Sequence, residues 1–152
     1  MADYFLDSSA LGKYYHVEVG TAEVDRLLKE PGSRYFISRL TVIEVQSVFA
    51  SKVRRGIITE ADFQLLRRRF LADVTRRQFL VVRMTGWHYQ EAERLIRKHG
   101  PSRSLRTLDA LQLSVALDLR NRGILDHFVC ADKNLCAIAQ VEGLSVINPQ
   151  QP

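Results

Sequence analysis

Four acidic residues stand out because each lies near the start of a predicted helix. They are Asp7, Glu44, Asp109 and Asp132. Carboxylates gathered in one cleft repel one another, and a hard divalent cation such as Mg²⁺ or Mn²⁺ relieves that repulsion. Such an ion can activate a water for attack on a phosphodiester and stabilise the leaving oxygen. The residue types therefore indicate metal-assisted phosphodiester hydrolysis, provided that the fold brings the four side chains together.

The same positions have a second interpretation, as helix caps. An acid at a helix start accepts backbone hydrogen bonds and complements the helix dipole. Neutral caps stand beside three of the acids, namely Ser8 or Ser9, Thr41 and Thr107, which weakens this interpretation for the set. Thr41 and Glu44 nevertheless have the spacing of a capping box. Both interpretations stay open from the residues alone.

The elements that must position these acids alternate along the chain. Short apolar runs predict strands at 4–6, 35–37, 79–82, 128–131 and 145–147, and apolar residues at helical spacing predict helices between them. This alternation predicts an α/β fold, a three-layer αβα sandwich with a central, mainly parallel sheet. Right-handed crossovers place the helix starts at one sheet edge, where ligands bind in such folds.

Composition favours one domain, residues 1–152, of ordinary globular character. The chain has no apolar run of the roughly 18 residues that cross a membrane, and its first residues lack the pattern of a secretory signal. We therefore expect a cytoplasmic protein without a membrane partner. Cys130 and Cys136 lack zinc-site spacing and predict two partly buried thiols. The net charge of +5 is compatible with a polyanionic partner such as RNA.

Four segments carry a family resemblance. The segments LDSSAL (6–11), SRLTVIEV (38–45), LRTLDALQL (105–113) and FVCADKNL (128–135) resemble the successive motifs of PIN domains. They span nearly the whole chain in the order of that family. The length and the absence of added domains resemble the VapC toxins of VapBC toxin–antitoxin pairs.

This resemblance implies a Mg²⁺- or Mn²⁺-dependent endoribonuclease that hydrolyses RNA. Asp7 and Asp109 match direct metal ligands. Glu44 and Asp132 match acids that bind the metal directly, bind it through water, or position the attacking water. Ser8 matches a supporting hydrogen-bond donor, with helix capping as its alternative. The resemblance also implies a homodimer and an antitoxin partner, whose basic tail enters the acidic cleft.

Three positions depart from the family pattern, one of them Asn134, where some relatives have a charged residue, and two rival functions stay open. Cys130 stands where many relatives carry Thr or Ser, and Gln112 replaces a common His. One rival function is a noncatalytic RNA-binding or scaffold module whose acids only cap helices, and the other is a structure-specific DNA nuclease. Trp87 and Tyr89, near Arg83, could stack on bases, although Trp87 is favoured as a core residue.

Overall fold

The computed structural model describes all 152 residues, arranged around a five-stranded sheet. Its strands are β1 (Asp3–Leu6), β2 (Arg34–Ser38), β3 (Leu80–Val82), β4 (His127–Val129) and β5 (Val146–Ile147). The order across the sheet is β3-β2-β1-β4-β5, and every neighbouring pair is parallel. The predicted α/β class and parallel sheet are confirmed.

Seven helices connect and flank the strands, as parallel strands require crossover connections. They are α1 (Ser8–Tyr15), α2 (Thr21–Leu28), α3 (Arg39–Arg54), α4 (Glu60–Thr75), α5 (Gly86–Arg103), α6 (Thr107–Asn121) and α7 (Lys133–Val141). No helix in the structure is both long enough and apolar enough to cross a membrane.

The core has two halves, one on each face of the sheet, because successive side chains of a strand point in opposite directions. In β1, Phe5 packs in one cluster with Phe128 of β4 and with buried residues of α6. Its neighbours Tyr4 and Leu6 pack in the other cluster with residues of α1 and α3. Burial on both faces explains why the strands are continuous apolar runs rather than alternating ones.

One helix boundary differs from the prediction and changes how Glu44 is interpreted. Helix α3 begins at Arg39, and Ser38 caps it by accepting a hydrogen bond from the backbone N–H of Thr41 at 3.3 Å. Glu44 therefore lies in the second turn, beyond the reach of a capping role. The predicted capping box between Thr41 and Glu44 is wrong, because Thr41 already lies inside the helix.

Two further expectations have clear outcomes. Trp87 is not a core residue, since it is 44% exposed near the start of α5. Cys130 and Cys136 are free thiols, and both are buried.

Candidate active site

Asp7 follows β1 at the carboxyl edge of the sheet and is 4% exposed. It caps α1 by accepting from the backbone N–H of Ala10 at 3.0 Å, and it accepts from the Ser9 hydroxyl at 2.7 Å. Burial raises the pKa of Asp7 to about 6, although hydrogen bonds from Ser9, Ala10 and the Cys130 thiol oppose the increase. A buried carboxylate that remains short of positive charge is suited to holding a cation.

The buried side-chain amide of Gln112 holds the carboxylate of Glu44. The Gln112 Nε2 of α6 donates to Glu44 Oε1 at 2.6 Å and to the Thr41 hydroxyl at 2.7 Å, and Gln112 Oε1 accepts from the Ser38 hydroxyl at 2.8 Å. Burial raises the pKa of Glu44, against opposing hydrogen bonds from Gln112 and Ser8. Ser8 is the first residue of α1 rather than its cap, so its hydroxyl is free to support the Glu44 carboxylate.

Asp109 and Asp132 differ in what occupies their oxygens. Asp109 lies in the first turn of α6, whose N-cap is Arg106, and it accepts no capping hydrogen bond. Burial raises the pKa of Asp109, and the negative charge of Asp132 adds to the increase while Arg106 opposes it. Asp132 caps α7 through Oδ1, which accepts from the backbone N–H of Leu135 at 3.0 Å. Its other oxygen is not used by the cap.

Arg106 provides the positive charge nearest to the acids. One guanidinium nitrogen lies 3.2 Å from Asp109 Oδ2 and 3.7 Å from Asp132 Oδ2. The positive charge of the same guanidinium opposes the increase in the pKa of Glu44. Arg106 also borders a shallow pocket of about 310 Å³ together with Glu44, Thr107, Leu108 and Asp109. The side chain of Arg106 is 75% exposed, so it can leave without disturbing the core.

The fold brings the four predicted acids to one edge of the sheet, with Asp109 central among them. The negative charge of Asp109 raises the pKa of Asp7 and that of Glu44, and Asp132 in turn raises the pKa of Asp109. The acids do not form a closed cage, since no three His, Cys, Asp or Glu side chains lie close enough together to hold a metal ion. The arrangement is therefore an open acidic cleft rather than a preformed coordination sphere.

Capping explains only part of this constellation. Asp7 and Asp132 are true N-caps, whereas Glu44 and Asp109 have no capping hydrogen bond. A capping hydrogen bond therefore accounts for two of the four acids and leaves the placement of Glu44 and Asp109 to another role.

Three residues that support the site were not predicted as part of it. Ser9 joins Asp7 to the far side of the cleft, because its hydroxyl also accepts from the backbone N–H of Ala131 at 3.1 Å. Gln112 and Arg106 lie one turn after and one turn before Asp109. Helical spacing from Asp109 would have indicated both, but the sequence does not show which acid each of them faces.

The chain also matches a known family. The PIN domain family model matches residues 4–146, which include all four acids. The chain belongs to the PIN domain family. The predicted family is thereby confirmed, and membership of a nuclease family supports a nuclease activity for the acidic cleft.

Solved PIN structures have the same fold. The Sarcin-Ricin loop cleaving toxin VapC20 of Mycobacterium tuberculosis is 16% identical, with a TM-score of 0.67, and the alignment covers 96% of this chain and 99% of that one. PAE2754 from Pyrobaculum aerophilum is 20% identical, with a TM-score of 0.62 and coverage of 98% and 90%. A toxin–antitoxin complex from Klebsiella pneumoniae is 13% identical, with a TM-score of 0.61 and coverage of 98% and 99%. No curated protein sequence matches the chain.

Proposed function

We propose that this PIN domain is a metal-dependent endoribonuclease and the toxin component of a type II toxin–antitoxin pair. The observation that carries the proposal is the position of Asp109. Its negative charge raises the pKa of Asp7 and that of Glu44, and the charge of Asp132 raises the pKa of Asp109 itself, at the sheet edge where α/β folds bind ligands.

The residues fit a hydrated hard cation rather than a fully protein-coordinated one. Mg²⁺ keeps several waters and needs only one or two carboxylates, so the absence of a three-acid group is compatible with it. Asp7 and Asp109 would hold the ion, with Glu44 and Asp132 bound directly or through water. When bound, a divalent ion lowers the pKa of a water and stabilises the charge that develops on a phosphodiester.

The chain's own residues prepare the site for that chemistry. Gln112 fixes one oxygen of Glu44, which leaves the carboxylate oriented to accept a proton from an attacking water. Ser9 and the N-terminus of α1 hold Asp7 against the sheet. Arg106 can contact a substrate phosphate once a cation takes its place beside Asp109, since guanidinium groups bind phosphate well.

The partners follow from charge and from the relatives. A net charge of +5 on a chain with an acidic cleft suits an RNA backbone that lies across basic flanks. Several neighbours are described as toxins or toxin–antitoxin complexes, which supports a cognate antitoxin, and we propose that the chain also forms a homodimer. The position that Arg106 occupies shows that a guanidinium fits among the acids, so an antitoxin arginine is a suitable inhibitor.

A cleavage assay with matched variants tests the activity. The wild type, Asp7→Asn, Asp109→Asn and the control Asp25→Asn are incubated with structured and unstructured RNA, with Mg²⁺, Mn²⁺ or excess chelator. We expect cleavage only by the wild type and Asp25→Asn, and only with a divalent ion. Asp25 lies on α2, outside the site. Full cleavage by Asp7→Asn or in chelator would reject the proposal.

Because Asp7 and Asp132 cap helices, the experiments must also test the rival function, a noncatalytic RNA-binding module whose acids only cap helices. If the acids only cap helices, the asparagine variants retain RNA binding and divalent ions do not raise the melting temperature. Under the proposed function, the ions stabilise the wild type and not Asp109→Asn. A parallel assay on flap DNA tests a structure-specific DNA nuclease.

A further inference from the structure

The strands β2 and β3, which lie on one side of β1, end in a basic, partly aromatic surface. Arg39 is the first residue of α3 after β2, and Arg83 directly follows β3. With Tyr89 of α5, they border a pocket of about 380 Å³ whose other walls are Leu40, Ile43 and Met84. We call this pocket the Tyr89 pocket. Tyr89 is 55% exposed, although an aromatic ring is usually buried when it has only a structural role.

The charges of the Tyr89 pocket are not neutralised within the chain. No carboxylate borders it, and the salt bridges of the protein engage other arginines. Arg39 also stands at the N-terminus of a 16-residue helix, where the helix dipole favours anions. The pocket therefore combines an exposed ring, an apolar wall and two unpaired guanidinium groups.

Strand order places the Tyr89 pocket beside the acidic cleft. Along the carboxyl edge, β3, β2, β1 and β4 are followed in turn by Arg83, Arg39, Asp7 and Asp132. Neighbouring strands are about 4.8 Å apart, so the arginines lie within a few strand spacings of the acids. Ile43 of the pocket also directly precedes Glu44 on α3. A linear polyanion could follow this edge from the arginines to the acids.

We propose that the Tyr89 pocket binds a nucleotide of single-stranded RNA next to the phosphate that is cleaved. The base stacks on the Tyr89 ring against Leu40 and Met84, and Arg39 and Arg83 bind the phosphates. Stacking on an exposed aromatic ring combined with arginine contacts is the usual way in which proteins bind single strands. The inference rests on the proposed function and adds a substrate subsite to it.

The charge pattern favours RNA over a second copy of the chain. In a dimer whose two-fold axis passes through the pocket, the pocket faces its own copy, so Arg39 and Arg83 would meet like charges without a carboxylate in the pocket. The neighbouring pocket of about 390 Å³ on the other side of Tyr89 contains Glu93 beside Arg97. The phosphates therefore belong on the side of Arg39, where no acid opposes them.

Equilibrium binding separates this subsite from catalysis. The full chain with Asp7→Asn, which we expect not to cleave, is titrated into a fluorescein-labelled single-stranded RNA octamer, and anisotropy gives the Kd. Adding Tyr89→Ala should weaken binding by about 5- to 150-fold, whereas Tyr89→Trp should retain it. Adding Arg83→Ala should lower the slope of log K against log salt by about 0.7.

A second tyrosine provides a matched control. Tyr14, near the end of α1, borders a separate pocket with Arg68 and Arg69 that also contains Asp73, so Tyr14→Ala removes a tyrosine ring beside arginines that a carboxylate accompanies. Unchanged Kd values for Tyr89→Ala, or equal losses for Tyr14→Ala and Tyr89→Ala, would overturn the subsite. The subsite would also be overturned if Tyr89→Ala converts a dimeric parent into a monomer, as measured by sedimentation, and leaves the Kd unchanged.

The two proposals fail in different ways. If the wild type cleaves RNA while Tyr89→Ala changes neither Kd nor KM, only the subsite is wrong. If binding depends on Tyr89 but the wild type cleaves no RNA with Mg²⁺ or Mn²⁺, the subsite stands and the proposed activity is wrong.

Discussion

The guanidinium of Arg106 lies 3.2 Å from the carboxylate of Asp109, within the same turn at the start of α6. This contact places a permanent positive charge where the proposed function requires a divalent ion. Arg106 is the N-cap residue of α6, but its side chain makes no capping hydrogen bond. Removing the side chain should therefore change the electrostatics of the cleft and leave the helix intact.

We expect Arg106→Ala to bind Mn²⁺ more tightly than the wild type. The guanidinium competes with the ion for Asp109 and Asp132, and exposed pairs of this kind contribute enough to alter the Kd by about 1.5- to 5-fold. Isothermal titration of the metal measures the change. Arg103→Ala, which removes a nearby arginine without a carboxylate partner, should leave the Kd unchanged. Weaker Mn²⁺ binding by Arg106→Ala would contradict competition.

Asp7 should make the protein less stable as the pH rises. Its folded pKa is raised from 3.8 to about 6, so folding favours the protonated form. The cost of ionising Asp7 is absent below pH 3.8, grows as the pH rises to about 6, and is then fully present. With metal removed by chelator, Asp7→Asn should be more stable than the wild type at pH 7.5, by about 2 to 3 kcal/mol.

Urea denaturation at several pH values measures this difference. Asparagine is also a good helix cap, so the variant keeps the hydrogen bond to α1. The difference should disappear near pH 3.5, and Asp25→Asn should show no such pH dependence. An Asp7→Asn chain that is less stable than the wild type at pH 7.5 would show that Asp7 is already neutralised.

Gln112 is expected to stabilise the fold and the site together. Gln112→Leu removes the buried partner of Ser38, Thr41 and Glu44, and unsatisfied buried groups cost about 1 to 3 kcal/mol. Chemical denaturation measures this loss of stability. Gln46→Leu alters a half-buried amide of α3 that accepts a hydrogen bond from Arg67 of α4. This variant should lose less stability than Gln112→Leu. Equal losses would show that the network around Glu44 has no special role.

Asp109 should matter more for metal binding than Asp132. The negative charge of Asp109 raises the pKa of Asp7 and that of Glu44, whereas Asp132 commits one oxygen to the cap of α7. Thermal melting with and without Mn²⁺ should therefore show a smaller metal-induced increase in Tm for Asp109→Asn than for Asp132→Asn. A smaller metal-induced increase in Tm for Asp132→Asn than for Asp109→Asn would indicate that the ion binds closer to α7.

The sequence alone was sufficient for the fold class and for the sheet edge that the four acids reach. Apolar runs that are buried on both faces predict parallel strands, and the position of an acid after such a run predicts which sheet edge it reaches. These are local properties, because a strand and the helix that follows it are formed by neighbouring residues of the sequence. For that reason the class and the strand positions agree with the structure, whereas the roles of Asp7, Glu44, Asp109 and Asp132 as site residues stay a prediction.

Only the tertiary structure decided which residues face one another across the cleft. The start of α3 at Arg39 moved Glu44 out of the capping turn, and packing of α6 against α3 gave Glu44 its partner Gln112. Strand order set Arg39 and then Arg83 on one side of Asp7, although the strands β1, β2 and β3 are far apart in the chain. Contacts of this kind depend on how separate elements pack, and the spacing of residues along one element does not determine that packing.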